Sequence, residues 1–243
     1  MSADSATGDL FQSTQWTVVL AAGGAPTPEA DVALEKLCGT YWFPLYAYVR
    51  RRGYSKEDAE DLTQAFFESF LAKNYLIGLS GERGRFRAFL LATLKHFLAN
   101  QWDKSQRQKR GGAATHLSLD WQSADSQFQV AAAMEQTPDQ AFDREWAAAL
   151  LGSVIQRLEA ECAAAGRERQ FAELKRFLTM EKGAVPHAAA AAALGIEEGA
   201  VRVAVHRLRR RYRELLRDEI AQTLSSPGDV NEEMRALLGA FKI

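Results

Sequence analysis

The stretch that decides the fold is EEGAVRVAVHRLRRRYRELL, residues 197–216. On a helix its apolar residues recur every three or four positions and form one seam, made of Val201, Val205, Leu208, Tyr212 and Leu215. A second strip follows the same spacing one residue later, about 100° round the helix, and consists of Arg202, His206, Arg209 and Arg213. Carboxylates at helical spacing are scarce here, so we expect an unneutralised cationic face.

The residues before this stretch predict how the helix is placed. AAAAAALGI (188–196) indicates a short helix, then a turn at Gly195, and two glutamates begin the next helix. This is the order of a helix-turn-helix, in which the second helix enters the major groove of DNA. The alternative is a helix whose arginines meet only water.

Charge is unevenly spread along the 243 residues, although the formal net charge is only −1. Residues 83–110 contain eight Lys/Arg and one acid, and residues 202–217 contain seven Arg and one acid. Between them, residues 113–161 contain eight acids and two Arg. Two basic blocks therefore flank an acidic one, and such local patches attract phosphate whatever the total charge.

Several classes of protein are disfavoured by what the sequence lacks. It has no long apolar run and no signal peptide, so we expect a cytoplasmic protein with no membrane contact. Two distant cysteines and four scattered histidines argue against a disulfide framework or a metal site. We find no phosphate-binding glycine loop and no nucleophile–base pair, and therefore expect no enzyme activity and no cofactor.

The rest of the chain favours helices. SKEDAEDLTQAFFESFLAK (55–73) begins with a capping serine and has one apolar face, made of Ala59, Leu62, Phe66 and Phe70. Its opposite polar face carries Glu57, Asp61, Gln64 and Glu68 and has no evident burial partner. A helix is also predicted from Thr27 or Pro28 to about Cys38, followed by a segment that stops at Gly53. Another begins at Thr137-Pro138 and ends near Gly166.

The segment RFRAFLLATLKHFLANQWDKSQRQKR (85–110) mixes cations with Phe86, Phe89, Phe97 and Trp102. Most of these aromatic residues are expected in the core of an amphipathic helix. The functional alternative is that one or two are partly exposed and stack on unpaired bases beside a basic groove.

Taken together, DAEDLTQAFFESFL (58–71), GRFRAFLLATLKHFLANQWDKSQRQKR (84–110), the acidic segment and the C-terminal helix-turn-helix resemble a bacterial RNA polymerase sigma factor of the extracytoplasmic-function type. The resemblance covers roughly residues 30–110 and 140–220. It implies an all-α protein of two small helical domains joined by a linker. The implied division is an N-terminal extension (1–28), sigma region 2 (29–110), an acidic linker (111–138), sigma region 4 (139–222) and a C-terminal extension (223–243).

The resemblance also implies partners and residue roles. Glu57, Asp61, Gln64 and Glu68 would bind core RNA polymerase. The −10 promoter element would be recognised and melted through Arg85, Arg87, Phe89, Lys95, His96, Asn100, Lys104 and Arg107. The −35 element would be read through Arg202, His206, Arg207, Arg209 and Arg210. An anti-sigma factor is a further partner that the family allows. The alternative is a stand-alone helix-turn-helix regulator, which would need its own dimer interface.

Overall fold

The computed structural model describes residues 27–72, 85–105, 121–132, 135–179, 186–225 and 227–241. These residues form helices and no strand, which confirms the all-α prediction; an isolated bridge pairs Arg85 with Leu224. The helices are α1 (Pro28–Arg51), α2 (Lys56–Ala72), α3 (Phe86–Ser105), α4 (Trp121–Ala132), α5 (Pro138–Ala164), α6 (Glu168–Leu174), α7 (Arg176–Thr179), α8 (His187–Leu194), α9 (Glu198–Gln222) and α10 (Val230–Gly239), the last preceded by a 3₁₀ turn at Pro227–Asp229.

Some expectations fall outside the described residues. These are nearly all of the N-terminal extension, the first part of the predicted linker, Arg107 and the side chains of Trp102 and Lys104. In the part of the chain that is described, no helix is both long and apolar enough to cross a membrane.

Helix ends follow the local signals in the sequence. The hydroxyl of Ser55 accepts a hydrogen bond from the Asp58 amide at 3.1 Å, as expected of an N-cap. Thr137 and Gln140 form a reciprocal capping box that starts α5 directly before Pro138. Three helices end beside a glycine with positive φ, a conformation that costs other residues energy: Gly53 (93°), Gly166 (65°) and Gly195 (67°).

Helix α1 is longer than the sequence indicated, since it runs unbroken through Cys38 and contains Pro44. An interior proline removes a helix hydrogen bond and costs about 3 kcal/mol. Its neighbours Tyr41, Leu45 and Tyr46 are fully buried, and burying each side chain contributes about 2 kcal/mol. Packing of this aromatic helix therefore outweighs the local penalty.

The main core joins both halves of the chain. Helix α1 packs against α5 and α2, and buried side chains of α3, α9 and α10 complete the same cluster. At its centre the Trp146 indole N–H donates to the Tyr41 hydroxyl at 3.1 Å, and both side chains are fully buried. The expected boundary near residue 138 therefore does not coincide with a boundary in the core.

The described part of the predicted linker is a helix rather than a loose connection. In α4, Trp121 lies edge-to-face against Trp42, with ring centroids 5.5 Å apart, and Phe128 packs on Tyr46 at 6.3 Å. Trp121, Ala124 and Phe128 recur at helical spacing, and this stripe buries against α1. The abundance of Ser and Gln in the segment concealed the stripe from sequence analysis.

Candidate nucleic-acid interface

The predicted order of a short helix, a glycine turn and a long helix is confirmed. Gly195 adopts the left-handed conformation at the end of α8, and the chain re-enters a helix at Glu198. A small second core holds the unit together and consists of Leu174, Phe177, Ala190, Ala191, Val201 and Val205. Alanine on α8 permits close approach to the valines of α9. We call α8, the turn and α9 the α8–α9 unit.

The seam predicted on α9 faces this core and the main one. Val201, Val205 and Leu215 are buried, and Leu208 and Tyr212 are partly buried against them. The opposite side of α9 is exposed and carries what we call the cationic face: Arg202, His206, Arg207, Arg210 and Arg213. Apolar residues that fix the helix on one side therefore hold these five side chains outward on the other.

Carboxylates neutralise part of the cationic face, although their scarcity in the sequence had led us to expect an unneutralised one. Arg202 pairs with Glu198 at 2.6 Å and Arg210 pairs with Glu214 at 3.0 Å, both one helical turn apart. Such exposed pairs contribute roughly 0–1 kcal/mol, so phosphate can displace them. His206, Arg207 and Arg213 make no ion pair with any described residue.

Two arginines of α9 hold the protein together instead of facing outward. Arg209, a predicted −35 contact, donates from Nε and Nη2 to the Phe177 carbonyl oxygen at 3.1 and 2.8 Å. Arg211 makes a two-pronged contact with Glu161 of α5, with both N···O distances 2.8 Å. The hydrogen bonds from Arg211 lower the pKa of the Glu161 carboxyl. The structure thus separates the arginines of α9 by what they contact.

The predicted −10 cations of α3 are also engaged within the protein. Arg85 pairs with Glu232 at 2.8 Å and with Glu233 at 3.3 Å. Arg87 pairs with Glu233 and Asp143, and its guanidinium lies 4.6 Å from the ring centre of Trp146.

Lys95 pairs with Asp139 of α5 and lies 5.7 Å from the ring centre of Tyr48. The hydrogen bond to Asp139 raises the pKa of the lysine. In this conformation Arg85 and Arg87 are held by the buried Glu233, whereas the Lys95–Asp139 pair is exposed and phosphate can displace it.

The remaining predicted −10 residues divide into buried and exposed positions. Phe89 is buried against Phe70, with ring centroids 6.0 Å apart, and Phe86 and Phe97 are buried as well. No described aromatic of α3 therefore offers an exposed stacking surface. His96 and Asn100 are exposed one turn apart on α3, so among the −10 residues whose side chains are described, they are the ones that a nucleic acid could reach without displacing an ion pair.

The predicted polymerase-binding face of α2 lies at the surface. Glu57 and Asp61 are exposed, and the partly buried Gln64 donates to Glu68 at 3.1 Å. The opposite face is in the core, as predicted: Ala59, Phe66 and Phe70 are buried, and Leu62 is partly buried. The polar face is thus available to a partner.

Sequence analysis missed the acidic residues of α10. Glu232 and Glu233 lie in its first turn, and Glu233 is only 1% exposed although it is charged. The glutamate pair at the start of the helix-forming segment MRALL (234–238) was the available signal, but nothing local indicates that its partner is α3. Among the described residues, no cluster of three or more His, Cys, Asp or Glu side chains could hold a metal ion.

Comparison with known proteins gives no relative: no family model, no curated protein and no solved structure matches this chain.

Proposed function

We propose that this protein is a promoter-specificity subunit of bacterial RNA polymerase, of the extracytoplasmic-function sigma type. The observation that carries the proposal is the α8–α9 unit, whose long helix is fixed by an apolar seam and exposes four arginines and a histidine on the other side. A cationic second helix after a tight turn suits the major groove of DNA. Arginine there binds guanine or phosphate through two hydrogen bonds.

Within the cationic face, His206 and Arg207 begin the proposed −35 contact, since no ion pair with a described residue has to be displaced from them. Arg202 and Arg210 join by exchanging an exposed carboxylate for phosphate. Arg209 contributes indirectly, because its contact with the Phe177 carbonyl fixes α9 against α7.

The polar face of α2 supports the second half of the proposal. Its carboxylates, exposed at Glu57 and Asp61, lie opposite a face that is locked into the core. A partner can therefore bind them without disturbing the fold. We assign this face to core polymerase, as the resemblance implies.

Binding to core polymerase would also help to offset the free-energy cost of opening promoter DNA. Opening the −10 element costs a few kcal/mol for each unstacked step. The described cations of α3 and of the residue before it are paired within the protein, so they do not supply that energy. Binding on polymerase raises the effective concentration of both promoter elements and adds further DNA contacts.

Affinity for core polymerase tests the proposal. Asp61→Arg and Gln64→Ala should each weaken capture of core enzyme, because they reverse a charge and remove an amide on the docking face. Glu159→Arg is the matched control: it makes the same charge reversal at an exposed position of α5. If both α2 variants capture polymerase as well as wild type does, a stand-alone helix-turn-helix regulator is favoured instead.

A further inference from the structure

Five charged side chains meet where α3 begins, and we call them the α3–α10 charge cluster: Arg85, Arg87, Asp143, Glu232 and Glu233. They come from α3 or the residue before it, from α5 and from α10. Glu233 lies between the two arginines and bonds to both. A carboxylate 1% exposed is stable only because these cations compensate its lost hydration.

Backbone and side-chain contacts hold the C-terminal segment against the start of α3 and the end of α9. The Phe86 amide donates to the Thr223 carbonyl at 3.0 Å, and Arg85 bridges to Leu224. Arg217 of α9 donates to Asn231 of α10 at 2.7 Å. The chain that leaves α9 therefore runs along the start of α3 and then places the acids of α10 over its arginines.

The charge balance of the cluster opposes binding of nucleic acid. Two guanidinium groups face three carboxylates, so a phosphate approaching this point meets a net negative charge. Because these contacts are partly buried, salt screens them less than it screens surface pairs. Arg85 and Arg87 are among the residues that the resemblance to sigma factors assigns to the −10 element.

We infer that α10 is an internal acidic shield, which occupies the −10 cations of the free protein and must leave α3 before promoter DNA can bind there. The inference rests on the proposed function for the identity of the DNA, but not for the contact itself. Phosphate oxygens would replace the carboxylates of Glu232 and Glu233 as acceptors for the two arginines.

The short length and limited burial of α10 are consistent with a helix that can detach from α3. It has ten residues; its buried apolar side chains are Val230 and Leu237, Met234 is partly buried against the main core, and Leu238 is exposed. Helix α5, which supplies the fifth member of the cluster, is anchored by eight buried residues over 27 positions. Opening should therefore move α10 and leave α5 in place.

Binding of a short fluorescein-labelled thymidine oligonucleotide to the free full-length protein tests the shield. Glu232→Gln/Glu233→Gln keeps the shape of both side chains and removes two negative charges, so it should tighten binding by about tenfold, or about 1.4 kcal/mol. Glu219→Gln is the control, since it removes the carboxylate of another interhelical ion pair, with Arg157, that joins α5 to α9 and includes no residue of α3 or α10. Equal affinity of the double variant, the control and wild type would overturn the inference.

If the double variant folds poorly, amide hydrogen exchange measured on the wild-type protein tests the same inference. Saturating oligonucleotide should speed exchange of the α10 amides and leave those of α5 unchanged. Unchanged or slower exchange in α10 would contradict the shield.

Capture of core polymerase by the same wild-type sample separates the two proposals. Capture without α10 release refutes only the shield, whereas α10 release without capture refutes only the sigma assignment.

Discussion

Arg207 and Arg209 are two residues apart on α9, and the structure predicts opposite consequences for replacing each with glutamine. Arg209 gives two hydrogen bonds to the Phe177 carbonyl, at 3.1 and 2.8 Å. Glutamine is too short to restore both, and bonds from a charged donor are worth roughly 1.5–3 kcal/mol. Because Arg209 is partly exposed, we expect Arg209→Gln to lower the free energy of unfolding by about 1–2 kcal/mol.

Arg207 is exposed and makes no ion pair with described residues, so Arg207→Gln should change stability by less than about 0.5 kcal/mol. Its effect should fall on DNA. Losing one phosphate contact reduces the slope of log affinity against log salt concentration by about 0.9.

Urea unfolding and fluorescence anisotropy with duplex DNA over a series of salt concentrations measure the two effects separately. Arg209→Gln should lower stability while its salt slope stays that of wild type. Arg207→Gln should lower the slope at unchanged stability. The assignment of roles on α9 would be refuted if Arg209→Gln lowered the slope without loss of stability, or if Arg207→Gln left DNA binding unchanged.

Three further changes test the core and its charges. Tyr41→Phe leaves the buried Trp146 N–H without its acceptor and should cost about 1–3 kcal/mol in urea unfolding. Phe128→Ala should cost about 3 kcal/mol and increase proteolysis within α4, because Phe128 buries that helix against α1. Arg211 lowers the pKa of Glu161 below its usual 4.5, so ionised Glu161 stabilises the fold above that pH, and the contribution is lost as the pH falls through the lowered pKa. Glu161→Gln should therefore be less stable than wild type at neutral pH, and the difference should vanish in acid.

The sequence predicted what depends on neighbours along the chain. The seam of α9, the cap at Ser55, the start of α5 at Thr137-Pro138 and the turn at Gly195 follow from spacing and from residue type within a few positions. The apolar face of α2 could also be predicted from the spacing of its residues. Each of these features appears in the structure with the residues that were expected.

Contacts between segments that are distant along the chain could not be predicted from the sequence. The partner of Trp146 is 105 residues away at Tyr41, and that of Arg87 is 146 residues away at Glu233. No spacing rule links such pairs, so cations that looked free for phosphate proved to be paired. The contact of Arg209 was not foreseen for a related reason: its acceptor is the Phe177 backbone carbonyl, which carries no signature in the sequence.

Transcription in vitro tests the central claim most directly. Three reactions contain the same genomic DNA library: core polymerase alone, core polymerase with the wild-type protein, and core polymerase with the Asp61→Arg variant. The 5′ ends of the transcripts are mapped in each. We predict that the wild-type protein directs new starts that share two upstream sequence elements, and that Asp61→Arg removes them. Identical start sites with and without the wild-type protein would contradict the assignment.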